Sequence, residues 1–208
     1  MILKSPKSFK YKFSKLAGQY SDYNPWSISI IYSDDSLLRI FNWLPPATGT
    51  WHYYPAVFQA KNKNNKIICD ESPIETSYAE GDHPSTDYDN IYKIKSKLKQ
   101  LYLCIGRGQG SYALPFEVIE TYEVIGDSIK VSNILPDSGK MTSTIYIDRR
   151  AISYKNKSQD VPSSKYDKKN QVLKIPEIIG NDDLPETIEW NGKFVRYKFN
   201  AQKFEIQK

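Results

Sequence analysis

Two tryptophans and two tyrosines crowd around a double proline in the run WLPPATGTWHYYP, residues 43–55. Rings exposed on a loop can stack on sugars or anchor a protein partner, because each offers a large, rigid, apolar face. Trp43, Trp51, His52, Tyr53 and Tyr54 are therefore the candidate ligand-binding residues. The same rings have a structural use: strand alternation would turn half of them inward, closing one end of a β core.

Other chemistry is sparser. Residues 69–90 hold Asp70, Glu71, Glu75, Glu80, Asp82, Asp87 and Asp89 without a single Lys or Arg. Asp82, Asp87, Asp89 and Asn90 supply hard oxygens that could hold Ca²⁺, although their spacing differs from the D-x-[DN]-x-[DN]-G calcium loop. A solvated acidic loop is the plainer account. Gly106-Arg107-Gly108-Gln109-Gly110-Ser111 is the one glycine-rich stretch. Gly108, Gly110 and Ala113 formally fit a dinucleotide fingerprint, but Pro115 interrupts the helix that should follow. A turn needing positive φ explains the glycines better. Arg107 stands where it could grip an anion. The two histidines are His52 and His83, and no G-x-S-x-G elbow or H-E-x-x-H pair accompanies them. No cofactor motif emerges beyond the calcium candidates.

The elements that would carry these residues are strands. Residues 27–33 (SISIIYS) and 37–43 (LLRIFNW) flank a short polar turn and read as a hairpin. Residues 52–60 and 66–70 flank another polar turn. Over residues 89–99, Tyr92, Ile94 and Leu98 alternate with Lys93, Lys95, Lys97 and Lys99, the pattern of a half-buried strand with a lysine row against solvent. A loose repeat runs through the second half: Tyr122, Ile129 and Val131; Tyr166, Leu173 and Ile175; Tyr197, Phe204 and Ile206. Each unit reads as a hairpin with Tyr packing across to the partner strand. Phe58 and Tyr92 open looser versions, so five hairpins predict about ten strands. Residues 112–121 could be a short helix or a strand, and 153–170 reads as a polar loop. Phe9, Phe13, Leu16 and Ala17 fall at helical spacing. The expected architecture is an all-β, mostly antiparallel meander, barrel-like or sandwich, with a short N-terminal helix. Residues 1–20 would form the helical segment and 21–208 a single β-rich domain.

Composition bounds the rest. Of 208 residues 13% are aromatic and 25% charged, with 10 Gly and 12 Pro, which excludes collagenous and wholly disordered classes. A net charge of +5 without a basic stripe gives no reason to expect nucleic acid. Cys69 and Cys104 lie in apolar runs and outside any zinc spacing, so two buried thiols are expected, or one disulfide if the protein is exported. No run approaches the 18 apolar residues of a membrane span. The opening MILKSPKSFKYKF lacks the apolar core of a secretion signal, so the chain as written reads as soluble, with a periplasmic or surface location open if a signal precedes it.

Some motifs resemble a known group. Ser33-Asp34-Asp35 followed by Leu38-Arg39-Ile40-Phe41-Asn42-Trp43, then Gly49-Thr50-Trp51-His52 and Val57-Phe58-Gln59, resembles an uncharacterised all-β family frequent in Bacteroidetes. Glu80-Gly81-Asp82, Ile91-Tyr92 with Ile94, and Leu101-Tyr102-Leu103 follow in that family's order. The sequence departs from the family at Leu44-Pro45-Pro46-Ala47-Thr48. The resemblance implies a β fold and no established activity. Its members often begin with a lipoprotein or secretion signal.

Three functions fit these observations. The leading one is a non-enzymatic binding or interaction protein of the bacterial envelope, using the aromatic loop on an unknown protein or glycan partner. The second is a cytoplasmic immunity-type protein whose acids neutralise a basic partner. The third is a hydrolase using a carboxylate pair such as Asp82 and Asp89.

Overall fold

A computed structural model describes residues 27–44, 56–71, 86–109, 115–149, 161–181 and 184–207. Among them there are fifteen strands and no helix. The expected N-terminal helix lies outside the described residues. The all-β, antiparallel expectation holds, and none of the four sheets closes into a barrel.

The first sheet is a meander of β1 (Ser27–Tyr32), β2 (Leu38–Leu44), β3 (Ala56–Lys61) and β4 (Ile67–Glu71). The second follows with β5 (Asp87–Ile94), β6 (Gln100–Gln109), β7 (Pro115–Ile125) and β8 (Ser128–Val131). A small ribbon, β9 (Leu135–Asp137) with β10 (Lys140–Thr142), leads to β11 (Thr144–Asp148), which returns to β7. The last sheet is β12 (Lys165–Asp167), β13 (Val172–Asn181), β14 (Leu184–Phe199) and β15 (Phe204–Ile206).

The second sheet lies between the other two large ones, and the centre of its strands β6 and β7 is buried on both faces. The unbroken apolar run Leu101-Tyr102-Leu103-Cys104-Ile105 on β6 is the sequence mark of such a strand. Tyr102 and Cys104 face Leu38, Ile40, Phe58 and Ala60 of the first sheet. Leu101, Leu103 and Ile105 face Tyr166, Leu173, Phe199 and Phe204 of the last. Each fully buried side chain of this kind is worth about 1.5–3 kcal/mol.

The tyrosine repeat marks real hairpins. Tyr122 pairs with Val131, Tyr166 with Leu173 and Tyr197 with Ile206. Phe58 opens the β3–β4 hairpin and Tyr92 the β5–β6 hairpin. Gly126, at the first position of the two-residue β7–β8 turn, has φ 55°, the left-handed geometry tight hairpins require. The count exceeds ten because β1–β2 adds a pair outside the repeat, and three-residue strands such as β9 and β10 are too short to show a period.

One open reading settles and one expectation changes. Residues 112–121 resolve as strand from Pro115 onward. The lysine strand stops at Ile94, and Leu98 is 84% exposed in the turn that follows. Lys93 is half-buried: its Nζ lies 4.5 Å from the Tyr102 ring centre and 3.8 Å from Asp35 Oδ2. Burial lowers its pKa, opposed by Asp35.

The Ser33-Asp34-Asp35 turn joins the first two sheets. Asp35 Oδ1 accepts from Ser33 Oγ (2.6 Å) and the Leu37 amide (3.0 Å), and Oδ2 accepts from Tyr102 Oη (3.2 Å). Asp34 Oδ1 accepts the Lys93 amide at 2.7 Å, and Ser33 bridges to Ile91. At the opposite edge, the Ile129 amide of β8 donates to Asp70 Oδ2 of β4. Asp35→Ala removes three hydrogen bonds at once and should lower stability by about 1–3 kcal/mol in urea titration, as expected for buried donors left unmet. An unchanged midpoint would mean the turn does not join the sheets energetically.

Candidate functional site

The predicted residues divide between two places. Trp43 lies on β2, its backbone paired with Ile28 of β1. Trp51, His52, Tyr53 and Tyr54 lie outside the described residues, as does Asp82. Asp87, Asp89, Asn90 and Arg107 come together at the far end of the β5–β6 hairpin.

There the strands slip register. Tyr88 faces Gly106 and Asn90 faces Ile105, leaving Asp89 as an extra residue in β5. Asp89 takes Arg107 in a two-pronged pair, with Nε to Oδ2 at 2.8 Å and Nη2 to Oδ1 at 3.0 Å. Both carboxylate oxygens that might serve a cation are therefore engaged by a guanidinium, and the arginine expected to grip an anion is held by a carboxylate. The pair raises the Arg107 pKa. Asp87 has its pKa raised by partial burial and by the neighbouring Asp89 charge, against the pull of Arg107. Asn90 is exposed. Among the described residues no cluster of three or more His, Cys, Asp or Glu side chains has metal-binding geometry.

The glycine-rich stretch is strand through Gln109 rather than a phosphate loop. Gly106 and Gly108 lack positive φ, so the expected turn does not explain them. Clearance does. A Cβ on Gly106 would stand 2.5 Å from Thr86 Cγ2 and 2.7 Å from the Asp87 carbonyl oxygen. A Cβ on Gly108 would meet the Phe116 ring at 2.0 Å.

The family-like motifs also have structural duties. Arg39 and Gln59, neighbours across β2 and β3, are both fully buried, with Arg39 Nε donating to Gln59 Oε1 at 2.6 Å. The Arg39 guanidinium carbon lies 5.1 Å from the Phe41 ring centre. No disulfide forms. Cys69 is half-buried beside Gln59 on one face of the first sheet, whereas Cys104 points into the core between the first two sheets.

The densest chemistry was not singled out in the sequence. Glu120 on β7 is buried in the core between the first two sheets. Its Oε2 accepts from Tyr88 Oη at 2.5 Å and Tyr122 Oη at 2.8 Å, and the two phenol oxygens are 2.9 Å apart. Cys104 is its cross-strand neighbour, and Phe58 packs edge-on to Tyr88 and tilted on Tyr122. Glu120 Oε1 has no hydrogen-bond partner. Burial raises the Glu120 pKa, and it drives the pKa values of Cys104 and both tyrosines well up. The thiol and phenols are thus poor nucleophiles and bases at neutral pH. The available signal was an acid at an inward position of an apolar strand, in Val118-Ile119-Glu120-Thr121-Tyr122.

A second inward acid on the opposite face of β7 is paired. Glu117 Oε2 accepts from Arg149 Nη2 at 3.0 Å, and Oε1 accepts the Ser164 amide. Arg149 also donates to the Val161 and Pro162 carbonyls. The arrangement fastens the chain before and after residues 150–160.

Compared with known protein families, with curated protein sequences and with solved structures, the chain matches none.

Gly106→Ala should cost about 1–3 kcal/mol by overpacking, since a backbone carbonyl blocks the added methyl. Arg107→Ala, which breaks an exposed pair, should cost no more than about 1 kcal/mol. Chemical denaturation of both variants checks the contrast; equal losses would refute it.

Proposed function

We propose that the chain is a non-enzymatic binding protein of the bacterial envelope whose contact surface is the aromatic segment 43–55. The observation that carries this reading is the pairing of Asn42 with Ala56, which pins both ends of the segment to adjacent strands of one sheet. A loop anchored on a rigid sheet is the usual carrier of recognition, because the scaffold meets much of the ordering cost. Asn42 is itself fixed from inside: its Nδ2 donates to the Tyr88 carbonyl at 3.2 Å, so the base of the segment is tied to the second sheet. Trp43, Trp51, Tyr53 and Tyr54 supply the rings and His52 a polar tip. The partner is a glycan or a protein with an exposed apolar face. Arg107, held by Asp89, has no direct part.

A second reading is an immunity-type protein acting on a basic partner. Beyond the short neighbours β12 and β15, strands β13 and β14 continue as a two-stranded ribbon. Over residues 175–181 and 184–192 this ribbon carries Glu177, Glu186 and Glu189 and no Lys or Arg, and the sequence between its strands adds Asp182 and Asp183. With residues 69–90 they make a second block of negative charge, which favours encounter with a basic surface.

A glycan array and envelope-protein panel, probed with the wild-type chain and Trp51→Ala/Tyr53→Ala, tests the first reading. The double variant should lose at least about tenfold in affinity, as expected for aromatic anchors, with an almost unchanged melting temperature. A large loss of stability would show that the rings belong to the core. Affinity that falls steeply with salt while surviving the double substitution would favour the second reading.

A further inference from the structure

We infer that Glu120 carries a proton in the folded protein and closes a ring of three hydrogen bonds with Tyr88 and Tyr122, forming a proton-dependent clasp across the second sheet. Three oxygens, Glu120 Oε2, Tyr88 Oη and Tyr122 Oη, are separated by 2.5, 2.8 and 2.9 Å. All three separations are hydrogen-bond distances and each needs one proton. The phenols bring two. The carboxyl supplies the third, so that each oxygen donates once and accepts once around the ring.

The ionised alternative fits less well. A phenol donating to a carboxylate can also be as short as 2.5 Å. Ionisation, however, would leave two phenol oxygens 2.9 Å apart with no proton between them. It would also leave charge on Oε1, which is buried and without a partner. A buried carboxylate with one oxygen unmet and no cation beside it is costly for a core to hold. Among the described residues no cation forms an ion pair with Glu120, and sheet contacts explain why. The titratable groups around it are Tyr88 from β5, Cys104 from β6 and Tyr122 from β7. The first sheet presents Phe58 from β3, Asn42 from β2, and on β4 the carboxylate of Asp70, which is occupied by the Ile129 amide. The upward pKa shift that burial gives Glu120 agrees in direction.

The clasp has a mechanical role. Tyr88 stands on β5 and Glu120 two strands away on β7, with β6 between them. Gly106, opposite both Tyr88 and Val118, places no side chain between them on this face of β6. The ring therefore ties the edge strand β5 to β7 over β6, and the same Tyr88 backbone receives Asn42 from the first sheet.

Linkage gives the sign. A carboxyl whose pKa is raised on folding contributes stability that is fully present below its unfolded value of about 4.3, and that is lost as pH rises through the folded value. The difference in folding constant between the wild type and Glu120→Gln should fall with pH, by up to tenfold per pH unit for one linked proton. Titrating groups that do not sense Glu120 cancel in that difference. A difference flat between pH 5 and pH 9 (values chosen to span about the expected range) would overturn the proposal. If Glu120→Gln does not fold, infrared spectroscopy of the wild type at neutral pH serves instead. A protonated carboxylic carbonyl band, retained in Asp87→Asn, supports the clasp; absence of any such band refutes it.

Discussion

The second sheet is covered on both sides, and this constraint governs most of what is unusual in the molecule. Over Leu101–Ile105, β6 has no solvent face on which to place a polar group, so Leu101, Leu103 and Ile105 serve one core while Tyr102 and Cys104 serve the other. The acids buried on the neighbouring strand find their partners inside. Glu117 is met by Arg149 on one face and Glu120 by two phenols on the other. Thr121 lies where β8 and β11 divide the outer edge of β7. Its carbonyl accepts the Ser132 amide and its amide donates to Ser143, so the seam carries no unmatched backbone.

Much of the fold was legible because the hairpins are local. Tyr122, Tyr166 and Tyr197 pair a few residues downstream, and their spacing records the turn length. What could not be read was set by distant parts of the chain. Lys93 looks like one member of a solvated row, yet it is drawn inward by Tyr102 and Asp35, which no period reveals. Leu98 looks inward by parity, yet the strand has already ended. The glycines at 106 and 108 looked like a turn because their reason, clearance from Asp87 and Phe116, depends on neighbouring strands.

The candidate sites show the same division. The most motif-like residues, Ser33, Asp35, Arg39 and Gln59, hold sheets and strands together. A recurring pattern of polar residues in strands can thus reflect hydrogen-bond satisfaction rather than chemistry. Arg107 and Asp89 were read as separate prospects, one for an anion and one for a cation, and they satisfy each other. Glu120 was invisible as a site because its partners come from three separate stretches of sequence, and because Tyr88 faces it only through the irregularity at Asp89.

The extra residue in β5 acts as a frameshift written into the backbone. Tyr88 and Ile91 are an odd number of positions apart, yet both point into the same core. Removing Asp89 would restore strict alternation and leave Tyr88 and Ile91 facing the same core, because the residues on either side of it already pair with consecutive residues of β6. What would go is the two-pronged pair with Arg107 and the local bend that an extra residue gives a strand. An insertion or deletion between Asn90 and Ile94 has no such slack, since each residue there is matched one for one with β6 and a shift of one would turn Ile91 and Ile94 out of their cores.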